Sequence, residues 1–223
     1  MKLLHIDSSI LGANSSSRQI TAEVVAEWRR VHPNTEVDYL DLAADTPDHF
    51  DKDALGIKVG HPTEPSAAQQ RQNAASERLL TQFLESDVLV IGAPLYNFGI
   101  PSQLKVWIDR LAQPGRTFSY TANGPVGLAG GKTLIVVSAR GGKYPEDGVL
   151  VPQERTYMRQ MFGFMGITDI RFVRADGLSM GDASREAAFV QARDDIKAVV
   201  AATGADATGS SKSSTSSPAG TAA

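Results

Sequence analysis

Hydroxyl side chains are concentrated in residues 7–18, between a short apolar run and the first amphipathic segment. Three successive serines, Ser15, Ser16 and Ser17, would stand at the start of a helix, and Ser9 precedes them. Backbone N–H groups at a helix start point toward an anion, and the helix dipole favours negative charge there. The stretch therefore predicts a phosphate site, although a serine that only caps the helix would give the same pattern.

A second candidate stretch combines aromatic rings with an amide: Pro94, Leu95, Tyr96, Asn97 and Phe98. Apolar walls and aromatic side chains suit a flat ligand, while the Asn97 amide and nearby backbone N–H groups could bond its polar edge. Asn97 is the one side chain for which we expect a possible contribution to catalysis. The alternative is a turn with two packed aromatic residues before a helix that begins with proline.

The third stretch is Ala139-Arg140-Gly141-Gly142, at the end of another apolar run. Two glycines let a backbone approach a flat ring without an intervening side chain. Arg140 could face a carbonyl of that ring or merely reach the solvent. Since a Gly-Gly turn after a strand is common, this stretch supports a ligand site only in combination with the other two.

The elements that must position these stretches are five apolar runs with helical segments between them. Two of the runs, 88–91 and 134–137, are apolar at every position, which is typical of parallel strands covered on both faces. The five predicted strands are Leu3–Ile6, Val37–Leu42, Val88–Ala93, Thr133–Ser138 and Ile170–Val173. The alternation predicts an α/β protein with a doubly wound five-stranded parallel sheet in the order 2-1-3-4-5 between two helix layers.

Apolar residues at helical spacing predict the intervening helices. The predicted segments are Ile20–Val31, Ala75–Phe83, one that begins at Pro101 and reaches Leu111, Gln153–Met165 and Ala183–Ala202. In such a sheet all three chemical stretches follow the carboxyl ends of strands, where ligands bind. One ligand could therefore touch them together.

Composition limits the organisation and the chemistry of the 223 residues. We expect one domain over 1–202, a disordered tail rich in Ser, Thr, Ala and Gly over 203–223, and a long surface excursion over 44–66. The chain has no cysteine, so it offers no thiolate nucleophile, and we expect no metal. With a net charge of −3, no basic cluster and no long apolar run, neither nucleic acid nor a membrane is an expected partner, and the expected location is cytoplasmic.

Two familiar phosphate motifs are excluded. No G-x-G-x-x-G follows the first strand, and 127–133 resembles a Walker A loop but precedes a strand instead of opening a helix. Gly130 and Gly131 are better explained as a turn into the fourth strand.

Together, the serine loop, Pro94 to Phe98 and Arg140-Gly141-Gly142 resemble the FMN-dependent NADH azoreductase family, whose members are also described as quinone oxidoreductases and have a flavodoxin-like fold. The segments 118–125 and 162–168 also look like stretches of that family, and the resemblance reaches from the first strand to about Ala202. It implies that Ser9 and Ser15 to Ser17 bind the FMN phosphate and ribityl chain. Leu95 to Phe98 would flank the isoalloxazine, and Ala139 to Gly142 would meet its pyrimidine side.

The same resemblance implies a homodimer with one FMN per subunit and active sites at the subunit interface. Phe118, Tyr120 and Phe162 are then candidates to line the substrate cleft, with core packing as the alternative for each ring. This chain departs from its relatives at Ala139, where they often carry serine, so only the backbone can serve there.

The implied reaction takes electrons from NAD(P)H and delivers them, by a ping-pong mechanism, to quinones or to azo compounds, whose azo bond is cleaved. The cofactor carries this chemistry, so no nucleophile or essential base is required. The four histidines, His5, His32, His49 and His61, form no triad pattern. The rival interpretations are a non-enzymatic electron carrier of the flavodoxin type and a phosphate-binding signalling domain.

Overall fold

A five-stranded parallel sheet forms the centre of the computed structural model, which describes residues 1–60, 64–145 and 150–206. Its strands are β1 (Lys2–Asp7), β2 (Glu36–Asp41), β3 (Val88–Pro94), β6 (Thr133–Arg140) and β7 (Asp169–Asp176). Two further strands, β4 (Phe118–Thr121) and β5 (Gly124–Gly127), form a separate hairpin, so the spatial order of the sheet is β2-β1-β3-β6-β7. All five predicted strands are confirmed, as is their order.

In the described residues, six α-helices connect and cover the strands. They are α1 (Ser16–Val31), α2 (Gly56–Val59), α3 (Ala67–Glu85), α4 (Ser102–Leu111), α5 (Glu154–Phe164) and α6 (Asp182–Asp206). The five predicted helices are confirmed within a few residues at most ends, although α3 begins earlier than its apolar spacing predicted. Pro101 is the residue before α4 instead of its first residue, a difference of one position at a helix end.

The two faces of the sheet bury two separate cores. On one face, Phe83 of α3, Trp107 of α4 and Phe162 of α5 pack over alternate strand residues such as Ile6 and Ile91. On the other face, α1 and α6 pack over the intervening strand residues, and Trp28 of α1 is fully buried. Helices on both faces explain why β3 is buried at all seven positions.

Sequence patterns did not predict the antiparallel hairpin of β4 (Phe118–Thr121) and β5 (Gly124–Gly127). Each strand has only four residues, too few for a clear alternation. The backbone of the hairpin packs directly against the residues that follow α5. The approach is so close that a Cβ atom at Gly127 would collide with the backbone of Gly166. Ala129 N–H also donates to the carbonyl of Met165 at 2.8 Å.

The predicted surface excursion over 44–66 is mostly irregular, with the single turn of α2 inside it. It is tied to the domain by Arg110, which is fully buried and donates to the Asp48 carbonyl at 2.6 Å and to the Ser76 hydroxyl at 2.8 Å. His61 and two neighbours lie outside the described residues.

At the C-terminus α6 extends to Asp206, four residues into the predicted tail, and 207–223 lie outside the described residues. Among the helices described, none is long and apolar enough to cross a membrane. Within the same residues no group of three or more His, Cys, Asp or Glu side chains could hold a metal ion.

Candidate functional site

The serine loop ends at the N-terminus of α1, where Ser15 is the capping residue. Its hydroxyl accepts from the backbone N–H of Arg18 at 3.3 Å and lies 3.0 Å from the hydroxyl of Ser17. The capping role that the sequence left open is therefore present. It does not exclude anion binding, because a cap satisfies one of the first N–H groups of a helix and leaves others without an intrahelical partner.

Arg18 fixes the shape of this loop. Its guanidinium donates twice to the carbonyl of Ser9, at 2.9 and 3.2 Å, and pairs with both oxygens of Asp41, at 2.6 and 2.7 Å. The bidentate pair holds the start of α1 to the end of β2, and the two hydrogen bonds to the Ser9 carbonyl hold the serine loop against α1. The pKa of Asp41 is lowered, chiefly by its hydrogen bonds from Arg18.

A buried carboxylate lies beneath the loop. Asp7, 3% exposed, accepts hydrogen bonds from Thr21 at 2.8 Å and from Tyr39 at 3.0 Å, and His5 Nε2 lies 3.6 Å away. Burial raises the pKa of Asp7, but contacts with His5, Thr21 and Tyr39 outweigh it, so the net pKa is lowered. Burial and the charge of Asp7 raise the pKa of Tyr39 to about 12. Asp7 is thus an ionised anchor for β1, α1 and β2.

The second stretch forms a tight turn after β3. Tyr96 and Gly99 exchange two backbone hydrogen bonds at 3.0 Å, and the central residues Asn97 and Phe98 have φ angles of 50° and 66°. Two successive left-handed residues are the pattern of a type I′ turn, which favours glycine in its second central position. Phe98 stands there instead, and strain of this kind is concentrated at functional sites.

The first and second stretches meet through Tyr96. Its hydroxyl lies 3.2 Å from the hydroxyl of Ser9 and accepts from the backbone N–H of Ile10 at 3.3 Å. Tyr96 is therefore more than the apolar wall that the sequence predicted, since its polar end links the serine loop to the turn. Leu95 beside it is half-buried, whereas Asn97 and Phe98 are exposed.

The third stretch joins the second through the sheet and through an aromatic contact. Leu95 N–H donates to the carbonyl of Ala139 at 2.9 Å. The ring of Tyr144 packs edge-on against Phe98, with centroids 5.6 Å apart. The same tyrosine lies against Gly142, where an added Cβ atom would be 3.1 Å from the Tyr144 ring. A tyrosine ring therefore lies beside Gly142, where the sequence predicted open space for a ligand.

Arg140 does not reach the solvent at the rim, which was one of its two expected positions. It is 4% exposed, and its Nε donates to Glu154 at 2.6 Å, with Asp176 at 3.7 Å. Glu154 has no exposed surface, and Ser138 bonds the same oxygen at 3.0 Å. Buried charges of this kind require partners, so the ion pair, and not contact with water, fixes the guanidinium of Arg140.

The three aromatic residues proposed for a substrate cleft lie in different surroundings. Phe162 is fully buried between Phe83 and Trp107, so it is a core residue and offers no face to a substrate in this chain. Phe118 is 6% exposed and packs against Phe164. Tyr120 alone is open, at 74% exposed.

Sequence reasoning missed three residues that shape the site: Arg18, Tyr144 and Arg185. The Nη1 atom of Arg185, on α6, donates to the hydroxyl of Ser16 at 2.9 Å and brings a positive charge to the start of α1. No local pattern identifies it, because 169 residues separate it from Ser16. Arg18 directly follows the three serines and could have been noticed there.

The assembled groups fit a phosphorylated flat ligand such as FMN. Ser16, Ser17 and the first N–H groups of α1 offer donors for a phosphate, with the cation of Arg185 beside them. The exposed amide of Asn97 makes no hydrogen bond to any described residue, so it is free for a ligand at the turn. The fold and this site together define a protein of the flavodoxin-like class, in which ligands bind beyond the carboxyl ends of the strands where the strand order reverses.

Comparison with known proteins identifies the family. Residues 1–200 match the family described as Flavodoxin-like fold, and this chain belongs to it. An FMN-dependent NADH:quinone oxidoreductase of Polaromonas naphthalenivorans is 60% identical over 200 residues, which cover 88% of this chain and 92% of that protein. A protein with the same description from Albidiferax ferrireducens is 59% identical over 203 residues, covering 90% and 100%.

Solved structures give the same assignment at greater distance. An azoreductase from Bacillus anthracis has a TM-score of 0.82 and 30% identity, covering 90% of this chain and 99% of its own. An FMN-dependent NADH-azoreductase from the same species, in complex with FMN, has a TM-score of 0.81 and 28% identity, covering 91% and 98%.

Proposed function

We propose that this chain is an FMN-dependent NADH:quinone oxidoreductase that also reduces azo compounds. The observation that supports this most is the joining of three loops at the carboxyl ends of β1, β3 and β6. Ser9 meets Tyr96, Leu95 meets Ala139, and Phe98 meets Tyr144. A single flat cofactor with one phosphate can contact all three loops, which matches what relatives at 50–60% identity are described as using.

The cofactor would be held from its phosphate outward. Ser15, Ser16 and Ser17 supply hydroxyls and backbone N–H groups to the phosphate, and Ser9 lies toward the ribityl chain. The serine hydroxyls and the N–H groups are neutral donors. Arg185 beside Ser16 adds a positive charge that strengthens the binding of the phosphate, and this charge lies at the phosphate end of the site and not at the flavin ring. Asp7 and Arg18 do not touch the cofactor and act by holding the loop.

The ring would lie between the turn and the third loop. Pro94, Leu95, Tyr96, Asn97 and Phe98 line one side, and the backbone of Ala139 to Gly142 with the edge of Tyr144 lines the other. The side chain of Arg140 remains in its ion pair with Glu154. Asn97 is the candidate for a direct role, because its free amide and the backbone N–H groups of a left-handed turn can donate to an acceptor atom of the ring.

When bound, FMN supplies the two-electron chemistry that no side chain of this protein can supply. The protein residues position the donor and the acceptor. The exposed turn at Asn97 and Phe98 leaves one face of the site open, so NAD(P)H and the acceptor can occupy it in succession, which is a ping-pong order. A flat quinone or an azo compound suits the aromatic walls.

The proposal includes a homodimer with one FMN per subunit and a cytoplasmic location. Tyr120, 74% exposed at the hairpin, and Phe98, 40% exposed at the turn, are large rings left open in the single chain. A second subunit that covers them would complete the substrate cleft, and Phe118 would support the ring of Tyr120, whose centroid lies 5.4 Å away. Sedimentation of the purified protein tests this, with a dimer as the expected species.

Rapid mixing with NADH under anaerobic conditions tests the enzymatic function. We expect the FMN-loaded protein to lose its flavin absorbance directly on mixing and to regain it when a quinone follows. An electron carrier of the flavodoxin type would keep its colour until a separate reductase is added, and that result would refute the enzymatic proposal. Loss of colour with NADH but no return with either a quinone or an azo dye would refute the proposed acceptors.

A further inference from the structure

A cavity of about 480 Å³ opens beside the third loop, between helix α5 and the edge strand β7. Arg155 and Arg159, one helical turn apart on α5, line this cavity. Phe172 and Arg174, on one face of β7, form a second wall, and Arg140 and Tyr144 line it on the side of the third loop. Four guanidinium groups around one cavity are a marked concentration of charge in a chain whose net charge is −3.

Carboxylates neutralise only part of this charge. Glu154 and Asp176 pair with Arg140 and Arg155, at distances of 2.6 and 3.0 Å, and Asp195 lies 3.6 Å from Arg174. Arg159 is exposed and makes no ion pair with any residue in the ranges that the structure describes. The cavity therefore keeps a positive charge that is free to bind an oxyanion.

Arg140 adds donors that no described protein group uses. The residue is 4% exposed, and its one hydrogen bond to a described residue uses Nε. The two Nη groups make no hydrogen bond to a described residue and are not among the fully buried atoms without a partner, so solvent in the cavity reaches them. Because Arg140 lines the cavity, a bound oxyanion can satisfy these groups.

The cavity also has aromatic surfaces. The guanidinium of Arg159 lies 5.1 Å from the ring centroid of Phe172, and Tyr144 forms the wall nearest the turn. Tyr144 is the same ring that packs against Phe98, so the cavity and the proposed flavin site share a wall. A ligand that combines a flat ring with phosphate groups suits this cavity, and it could extend past Tyr144 toward the flavin.

We propose that this cavity binds the phosphorylated adenosine half of the nicotinamide dinucleotide, with its phosphate groups on Arg159, Arg174 and the Nη groups of Arg140. The inference rests on the proposed function, because it names the second binding region of the same substrate. An arginine can donate two hydrogen bonds to one phosphate group. Arg174 is 51% exposed and lies 3.6 Å from Asp195, so its outer nitrogens can turn toward the phosphate while Nε stays near the carboxylate. The adenine would pack between Phe172 and Tyr144.

Calorimetric titration of the FMN-loaded protein with adenosine 5′-diphosphate, the phosphorylated adenosine half that NADH and NADPH share, is the direct test, since it needs no turnover. We expect binding to the unaltered protein and at least a tenfold weaker affinity in Arg159→Glu. The matched control is Arg29→Glu, which reverses another exposed arginine without an ion pair, on α1 at the opposite face of the sheet. We expect Arg29→Glu to bind as the unaltered protein does, and adenosine without phosphate to bind far more weakly.

Steady-state kinetics identify the ligand as part of the dinucleotide. The expected result is that adenosine 5′-diphosphate raises the KM for NADH without lowering kcat, and that Arg159→Glu raises the same KM. Equal affinity for adenosine 5′-diphosphate in Arg159→Glu and the unaltered protein overturns the proposal, as does binding without competition against NADH. If Arg159→Glu does not fold, Arg174→Glu carries the same expectations.

The two proposals fail in different ways. A yellow protein that oxidises NADH but shows no arginine-dependent binding of adenosine 5′-diphosphate retains the proposed function and loses this site. A protein that binds adenosine 5′-diphosphate through Arg159 but does not bind FMN retains an anion site and loses the proposed function.

Discussion

Ser15 has two separable roles at the level of the single residue, as a helix cap and as a phosphate contact. Ser15→Ala should lower the free energy of unfolding by about 1 kcal/mol, the usual cost of losing a serine cap. It should also weaken FMN binding about tenfold or more, because one charge-assisted hydrogen bond is worth about 1.5–3 kcal/mol. Urea unfolding and flavin fluorescence measure the two effects.

The control is Ser66→Ala, because Ser66 caps α3 by accepting from Gln69 N–H at 3.2 Å, away from the three loops. It should lose similar stability and leave FMN affinity unchanged. If both variants weaken FMN binding equally, Ser15 acts only through the stability of the fold.

Asp7 makes stability depend on pH in the acid range. Its pKa is lowered from 3.8 in the folded chain, so the unfolded chain binds more protons as the pH falls below that value. The contribution of Asp7 to stability is therefore complete above about pH 4 and is lost as the pH falls through the lower, folded pKa.

Asp7→Asn should be less stable than the unaltered protein at neutral pH and should show a flatter decline of unfolding free energy in the acid range. Urea unfolding at several pH values measures both. Asp194→Asn, an exposed control on α6, should keep the original slope. Identical slopes in Asp7→Asn and the unaltered protein would contradict the assigned role.

The sequence shows which residues have suitable chemistry, but it does not show which groups they already bind. Ser15, Tyr96 and Asn97 were predicted as site residues, and in the structure Ser15 caps α1, Tyr96 contacts Ser9 and Asn97 lies exposed at the turn. Arg140 was predicted as a ligand contact or a rim residue, and the sequence did not show that Glu154, fourteen positions away, pairs with it. Such long-range pairings depend on the fold, which no local pattern encodes.

At the level of the element, the turn from Tyr96 to Gly99 stores strain at Phe98. A non-glycine residue in the left-handed region costs about 1–2 kcal/mol. Phe98→Gly and Phe98→Ala both remove the ring and its contact with Tyr144, so the difference between them isolates the backbone. We expect Phe98→Gly to be more stable than Phe98→Ala by about 1 kcal/mol.

Urea unfolding of the two variants measures this difference, and both should bind FMN more weakly than the unaltered protein because the ring is gone. Equal stability of the glycine and alanine variants would show that the turn is relaxed at this position.

Helices and strands with a clear hydrophobic pattern could be predicted from the sequence, whereas short elements could not. β3 is buried at every position and β6 at seven of its eight because helices cover both faces, and the apolar runs inside them predicted their limits to within two residues. The hairpin of β4 and β5 was missed because its stability comes from contact with the end of α5 and not from its own sequence. The same reason applies to Arg110. Its buried hydrogen bond to Asp48, in the surface excursion over 44–66, cannot be predicted from the sequence around either residue alone.

At the level of the whole molecule, the order of the strands brings the site together. β1, β3 and β6 are neighbours in the sheet although more than 80 residues separate the first two loops, and each ends at the same edge. Right-handed connections between parallel strands made this order predictable from the alternation of elements. The residues that line the cavity beside the site could not be predicted, because α5 and β7 meet only in the folded chain.

The most direct test of the account is a fluorescence titration of the flavin-free protein with FMN and, separately, with riboflavin. Because the phosphate would meet Ser15 to Ser17 and the charge of Arg185, we expect FMN to be quenched with at least tenfold higher affinity than riboflavin, and the complex to be yellow. Equal affinity for the two flavins, or no quenching with excess FMN, would contradict the claim that the three loops form one flavin mononucleotide site.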